Sequence, residues 1–564
     1  MPLHAQQTNS QPRWLFPFVG LLVFSLCAVP LSRLVAAGFR SIWSGKALDL
    51  LREPAVWQAA LNTLTTSFLG MIVALIIGSS FALVLALTDV RARGVLGFLF
   101  MLPTMIPPQV TALSWVGLSG PSSPLLKAIG LAPALGSPQP LYSIYGIALL
   151  FGVQHAPLVF LSLRAGLLAL PQEGIDAARL SGASSRQVLR DIVLPLAVPG
   201  LIAGAAIAFV SGVGNFGIPA ILGMPAAIYT LPTLIYARFA SFGPDTFGDI
   251  AMLSAMIAIL AIAGLGLQER VLRNREYRTI GAAGLTASFN LGLWRLPVEM
   301  ALWLLLVVML VLPFLALVAG SLVSTYGVVF SWQTISLSAY DEILFRQAVT
   351  QTAFVNSLFL SGWTAFGLLV FGVLTAYPLT HTKSRWTGLV AAMIEIPYAL
   401  PGVVIAVAFI LIFAAPIPLV GVTLYGTLWI ILLAYLSSFF AVGLKPIISA
   451  FRQLDPALEE AARLSGARFW RRLAEILVPL IAPAAGASVI LVFLIACNEL
   501  TVSALLWSAG TQTLGVAIYN LDDSGSYDLA AALSVLVVLM IVVLMLLLEW
   551  MAAWLPKGVV PWRN

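Results

Sequence analysis

The chain has 564 residues, of which 60% are hydrophobic and only 9% charged, and its mean hydropathy is +1.01. Soluble domains carry about 25% charged and 45–50% apolar residues, so a soluble enzyme is excluded. A secreted disulfide scaffold is excluded by the presence of only two cysteines, Cys27 and Cys497. The apolar runs are long and continuous, unlike the ~10-residue alternating segments of a membrane barrel. The net charge of +6 is therefore read by position along a membrane chain and not as a nucleic-acid signal.

A bilayer-spanning helix needs about 20 apolar residues. On that rule the first half has candidate spans near 14–37, 60–87, 94–118, 141–165, 194–222 and 248–267. The second half has them near 297–323, 354–380, 389–414, 420–444, 477–506 and 530–554. The expected fold is an all-α polytopic membrane protein with about twelve transmembrane helices in two parallel six-helix repeats. The first apolar run is too long for a signal peptide and reads as an uncleaved helix. Pro103, Pro107 and Pro108 break the third span, and Pro397 and Pro401 the ninth. Such breaks are either kinks repaired by neighbouring helices or unwound backbone beside a pathway.

Placing the N-terminus inside collects most Lys and Arg on the inner face, among them Arg13, Arg91, Arg93, Arg179, Arg186, Arg275, Arg278, Arg463, Lys557 and Arg563. The opposite orientation would violate the positive-inside rule. Acids such as Asp245, Asp249, Asp522 and Asp523 then form an outer rim. Trp14, Trp550 and Trp554 read as interface anchors.

The halves match one another. Met101-Leu102-Pro103-Thr104-Met105-Ile106-Pro107 has the form of Glu395-Ile396-Pro397-Tyr398-Ala399-Leu400-Pro401. Leu61-Asn62-Thr63-Leu64 matches Val355-Asn356-Ser357-Leu358, and Thr230-Leu231 with Ile235-Tyr236 matches Thr513-Leu514 with Ile518-Tyr519. An even number of spans per half gives both halves one orientation, with a pathway expected at their interface. The units are expected at 1–267 and 297–564, joined by a cytoplasmic linker at 268–296 whose basic residues and Gly281, Gly284 and Gly292 suit a surface segment.

The sharpest match lies in the cytoplasmic loop after the fourth span of each half. Asp176-Ala177-Ala178, Gly182, Ile192, Leu194 and Pro195 recur at the same spacing as Glu460-Ala461-Ala462, Gly466, Ile476, Val478 and Pro479. Alanine favours a short helix, glycine ends it by accepting the left-handed conformation, and Ser184 to Gln187 reads as a capping box for the next helix. Duplication alone does not explain why these loops match better than the spans, so they read as paired docking knobs.

These loops resemble the EAA motif of permeases in binding-protein-dependent ABC importers. The pattern is Glu-Ala-Ala, three residues, Gly, nine residues, Ile, one residue, Leu-Pro; the first copy departs at Asp176 and the second at Val478. The resemblance implies that Asp176, Ala177, Ala178 and Gly182, and Glu460, Ala461, Ala462 and Gly466, couple to a homodimeric cytoplasmic ATPase. It also implies a periplasmic substrate-binding protein as partner and the bacterial inner membrane as location. No Gly-x-x-x-x-Gly-Lys-Ser/Thr occurs in the chain, so ATP and Mg belong on the partner and no cofactor is expected on this chain, nor any nucleic acid.

One chain holding both units resembles the ferric-iron permease group. Asn498-Glu499-Leu500-Thr501 and Gly214-Asn215-Phe216-Gly217 resemble segments of that group, with departures at Asn498 and Thr501. A carboxylate inside a span is costly and marks a functional site by default, so Glu499, Asn498 and Asn215 are expected on the pathway. Glu499 is also the expected metal contact, a hard oxygen donor for a hard cation. Glu395 joins the pathway set in a structural or gating role. His155, beside Gln154, reads as a packing group. Thiamine, phosphonates and polyamines remain alternative cargoes, and an ion-driven carrier is a second mechanism.

Overall fold

The computed structural model describes residues 12, 14–168, 170, 172–241, 246–273, 289–325, 327–382, 384–416 and 421–552. Arg13, Asp245, Arg275, Arg278, Gly281, Gly284, Trp554, Lys557, Arg563 and linker positions 274–288 lie outside the described residues.

Among the described residues the regular structure is helical, with no strand. In the first half the principal helices are α1 (Leu15–Trp43), α2 (Pro54–Leu87), α3 (Arg93–Met105), α4 (Pro108–Ser119) and α5 (Ile144–Leu168). They are followed by α6 (Gln172–Leu180), α7 (Ser185–Gly214), α8 (Gly217–Leu222), α9 (Leu231–Ala240) and α10 (Thr246–Arg273). The second half repeats the order with α11 (Gly292–Ser321), α12 (Ala348–His381), α13 (Arg385–Ala399), α14 (Gly402–Phe413) and α15 (Leu428–Gln453). It ends with α16 (Pro456–Leu464), α17 (Phe469–Cys497), α18 (Ser503–Leu506), α19 (Leu514–Asp523) and α20 (Tyr527–Ala552).

Ten of these are long and apolar enough to cross a membrane, and the α3–α4 and α13–α14 pairs are bent by 101° and 110°. Each bent pair is one interrupted crossing. Thr88, just past α2, bridges to Phe289, over whose ring the Arg179 guanidinium of α6 sits at 5.3 Å. The end of α2 and the loop after α5 thus share a face, so the chain between them crosses and returns. In the second half Tyr377, near the end of α12, donates to Glu459 of α16 at 2.6 Å, and the same logic holds.

Proline sets a second repeated feature. A wide π turn at Leu189–Val193 precedes Pro195, and another at Leu473–Leu477 precedes Pro479. The same turn precedes Pro30 in α1 and Pro313 in α11. Proline has no N–H to give and its ring crowds the carbonyl four residues back, so the helix widens there and then resumes.

The α2–α5 seam is built on small residues. A Cβ added to Gly78 would stand 2.4 Å from the Ala156 carbonyl oxygen and 2.9 Å from Val159 Cβ; one on Gly70 would stand 2.5 Å from Phe151 Cβ. In lipid there is little hydrophobic gain between helices, so close backbone approach supplies the attraction. Gly78→Val is expected to destabilise the fold by about 1–3 kcal/mol or more, since the blocking atom is backbone. A thermal-unfolding midpoint in detergent equal to that of the unmodified chain would overturn this.

Two pairs of sequence matches prove to be the two sides of one contact, made twice. Asn62 donates to the Tyr229 carbonyl at 2.8 Å, and Thr63 Oγ1 accepts from Leu231 N–H at 2.8 Å. In the second half Asn356 donates to the carbonyls of Gly510 and Gln512 at 3.0 and 2.9 Å, and Ser357 Oγ accepts from Leu514 N–H at 2.8 Å. Each half thereby pins the start of α9 or α19 to its second span.

The halves join at the inner face. Gln268 to Arg273, the opening of the expected linker, continue α10. At its far end Asp89 accepts from Leu291 N–H at 3.0 Å, Glu299 accepts from Arg91 N–H at 2.8 Å, and Arg295 contacts both acids. The Leu291 N–H holds the Asp89 carboxyl below its ordinary value.

Candidate functional site

The two inner loops fold alike. Beyond α6, Gly182 N–H donates to Arg179 O at 2.9 Å and Ala183 N–H to Ala178 O at 3.0 Å. Beyond α16, Gly466 N–H donates to Arg463 O at 3.0 Å and Ala467 N–H to Ala462 O at 3.1 Å. Both turns are Schellman caps, and φ is +88° at Gly182 and +81° at Gly466. Ser184 and Gln187 form the expected capping box, whereas Arg468, at the matching position, makes no side-chain cap. Asp176 and Glu460 are exposed, as are Ala177 and Ala461, while Ala178 and Ala462 are partly buried. Beside them Leu180 and Leu464 are 91% and 87% exposed. Two leucines so bare at matching places on the two loops are large apolar side chains left uncovered at the inner face.

From each knob one long helix, α7 or α17, runs 30 or 29 residues toward the middle of the molecule, a reach of about 45 Å. At the far ends stand Asn215 and the pair Asn498–Glu499. Asn215 Oδ1 accepts from Ile218 N–H at 3.1 Å, capping α8. The Glu499 carboxylate accepts from Val502 N–H at 2.9 and 3.0 Å and from Ser503 N–H at 3.3 Å, capping α18. The two residues occupy corresponding places and do the same local job, one as a neutral amide and the other as an acid.

Each of these ends rests on the broken span of the other half. Asn498 donates to the Met105 carbonyl at 3.0 Å, and a Cβ on Gly214 would stand 2.6 Å from Pro401. Gln154 donates to the carbonyls of Pro103 and Ile106 at 2.8 and 3.0 Å. At the first break the unwound backbone is therefore repaired by neighbours, and it also faces a cavity. That cavity, of about 280 Å³, lies between the halves and is lined by residues 104–109, Gln154, His155 and Gly217 and, from the second half, Phe439, Leu494, Ile495 and residues 498–501.

Several of its polar groups have no protein partner. Gln109 is fully buried, and neither its Oε1 nor its Nε2 is hydrogen-bonded; His155 Nδ1, Asn498 Oδ1 and Thr104 Oγ1 are likewise unpaired. His155 is thus not the satisfied packing group the sequence suggested. Gln109 was missed by the sequence reading. Its amide lies between the first turns of α8 and α19, where glycines allow close approach: a Cβ on Gly217 would stand 3.2 Å from its Oε1 and one on Gly515 3.1 Å from its Nε2. The available signal was an amide directly after Pro107-Pro108 where the second half has Val403 after Pro401-Gly402.

Phe216 is the chain neighbour of the lining residue Gly217 and is buried. Its ring lies 5.1 Å from Tyr236 and 5.8 Å from Tyr519, and those two tyrosines meet edge to face at 5.7 Å. They are the matched tyrosines of the repeat, brought together from α9 and α19. At the end of α19, burial pushes Asp522 up to about 6, with Asp523 adding to the shift.

Glu395 is not at the cavity: it is half exposed and pairs with Lys445 at 3.0 Å, while the Lys445 ammonium sits 4.5 Å from the Tyr398 ring centre. Glu499 as a metal contact gains no companions, because no group of three or more His, Cys, Asp or Glu that could hold a metal occurs among the described residues; its oxygens are turned to backbone N–H groups. Cys27 and Cys497 are buried free thiols.

Comparison with known proteins agrees with the duplicated architecture. The family described as the binding-protein-dependent transport system inner membrane component matches twice, at residues 74–275 and 368–561. A probable ABC transporter permease protein (y4fN) of Sinorhizobium fredii is 29% identical over 496 residues, 86% of this chain and 84% of its own length. The ferric transport system permease protein FbpB of Actinobacillus pleuropneumoniae is 24% identical over 509 residues, 89% of this chain and 72% of its own. The molybdenum transport system permease protein ModB of Escherichia coli is 29% identical over 243 residues, 41% of this chain and all of its own. With both matches in register with the two knobs and the two sets of spans, the chain belongs to the binding-protein-dependent transport system inner membrane component family, as a multi-pass inner-membrane permease with two units fused in one polypeptide.

Proposed function

We propose that this permease moves ferric iron from the periplasm to the cytoplasm by alternating access, driven by two copies of an ATPase seated on the knobs around Gly182 and Gly466. Family membership implies an ATPase and a substrate-binding protein as partners. The observation that carries the iron reading is that a ferric permease aligns through both units in one chain, over 89% of it. The mechanical argument rests on α7 and α17. Each joins a docking knob at one end to a cap beside the cavity at the other, so displacement of the knob is carried about 45 Å by one stiff element. Closure of the ATPase pair would draw the knobs together, part the Tyr236–Tyr519 contact and expose the cavity to the outer side. ATP and Mg act on the partner; this chain supplies the knobs, the levers and the path.

A molybdate or phosphonate cargo is the second reading, favoured by the molybdenum and 2-aminoethylphosphonate permeases that match 41% and 39% of this chain. The test is uptake of labelled ferric iron by iron-starved cells with and without the chain, with labelled molybdate and thiamine as paired controls. Loss of iron uptake alone is the expected result. Unchanged iron uptake with loss of another solute would move the cargo and leave the permease in place.

A further inference from the structure

The two knobs are anchored to the membrane part by different chemistry. In the second half Glu459, one residue before the Glu460-Ala461-Ala462 run, turns inward and is only 14% exposed. Its Oε1 accepts from Tyr377 Oη at 2.6 Å and from Arg472 Nη2 at 3.3 Å, and its Oε2 lies 3.5 Å from His381 Nε2. Tyr377 and His381 stand one turn apart at the inner end of α12 and stack at 4.5 Å. Arg472 lies in the first turn of α17, is 4% exposed, and also donates to the Ala467 carbonyl at 2.8 Å, just beyond the turn made by Gly466. One carboxylate thus gathers the knob helix α16, the end of α12 and the start of α17.

The register of the repeat places Ile175, Val188, Leu83 and Leu87 at the positions of Glu459, Arg472, Tyr377 and His381. All four are apolar. Ile175, Val188 and Leu87 are at most 3% exposed and belong to one core cluster, against which Leu83 packs. Four positions scattered over some 95 residues have changed character together, which is what a single joint with two alternative fillings requires. A buried ion cluster adds little net stability over an apolar filling of the same shape, but it fixes geometry strictly, because removing one partner strands a charge.

We propose that Glu459 is the positioning residue of the second knob, the joint through which movement of α16 is transmitted to α12 and α17. The proposal rests on the reading of the loops as ATPase-docking sites. The experiment uses the assembled transporter, this chain with its ATPase, in nanodiscs. The readout is the factor by which the purified binding protein stimulates ATP hydrolysis, together with co-purification of the ATPase. Neither requires the cargo to be known.

In Glu459→Ala the ATPase should co-purify as before, while stimulation falls from its normal factor to about one, the limit in which the outer and inner faces have no coupling free energy. Glu459→Gln keeps an acceptor for Tyr377 but not the charge facing Arg472, and should fall between. The fourfold variant Glu459→Ile, Arg472→Val, Tyr377→Leu and His381→Leu installs the filling of the first half, strands no charge, and should restore stimulation to at least about half, since volume-preserving apolar repacking is tolerated. It also separates a failed joint from a failed fold. Full stimulation in Glu459→Ala, loss of the ATPase from that variant, or no recovery in the fourfold variant would each overturn the proposal. Gly466→Val is the control on the docking reading. If it disturbs stimulation while Glu459→Ala does not, only the joint is refuted; if it leaves stimulation intact, the docking reading itself fails.

Discussion

Gly466→Val should reduce uptake at least about tenfold while the chain inserts at its normal level. The physical basis is local. Gly466 has φ +81°, a left-handed conformation that costs an L residue roughly 1–2 kcal/mol, and a tenfold effect corresponds to about 1.4 kcal/mol. A β-branched side chain is a worse occupant still. A Cβ placed there meets no atom within 4 Å, so no packed core is disturbed and the fold as a whole should survive. The strain instead falls on the Schellman turn that aims α16, or else the new side chain projects into the space the proposed ATPase would occupy. Gly466→Asn is the informative companion, because asparagine visits the left-handed region readily; it should keep most of the uptake. Gly182→Val should act in the same direction. Wild-type uptake in Gly466→Val would show that the turn is not part of coupling.

The sequence made these loops legible because the signal is local. A helix former run, a glycine and a capping residue specify a turn without reference to the rest of the chain, and the turn at Gly182 is the one expected. The spans were legible for a similar reason: hydropathy reports length against bilayer thickness. Sequence also showed that Asn62 and Asn356 correspond, and that Thr230 and Thr513 do, but not that each asparagine region clamps its threonine region, since contacts between distant segments leave no periodicity to read. Gln109 and Glu459 were hidden for a further reason. Both matter through what the other half has at the same place, Val403 and Ile175, and a repeat is searched for its similarities. The surroundings of His155 and Glu395 were not legible, because the cost of burying a polar group says only that it needs a partner or a purpose. It does not say that Glu395 meets Lys445 at an exposed edge while His155 Nδ1 faces a cavity.

If the proposed ferric cargo is right, Glu499→Gln should leave the thermal-unfolding midpoint close to that of the unmodified chain and still lower ferric uptake at least about tenfold. Two roles overlap at this carboxylate and the substitution divides them. Capping needs an oxygen acceptor, and Asn215 performs it in the first half with a neutral amide that accepts from Ile218 N–H at 3.1 Å. A glutamine can accept from Val502 N–H in the same way, whereas Glu499→Ala leaves that donor without its cap, at a cost of about 0.5–2 kcal/mol. Alanine should therefore lower both the midpoint and uptake, and glutamine only uptake. If capping were the whole role, a charge would be an expensive way to do what asparagine does opposite, because a buried carboxylate is paid for in insertion and retained only where it acts. The acid stands at the end of the lever from the second knob, beside Asn498, against a cavity that otherwise offers neutral amides and an imidazole. It is the group there able to favour a cation by charge. Uptake equal to that of the unmodified chain in Glu499→Gln would reduce Glu499 to a helix cap, and the selectivity of the path would then have to be sought in Gln109, His155 and Asn498, whose unpaired atoms face the same space.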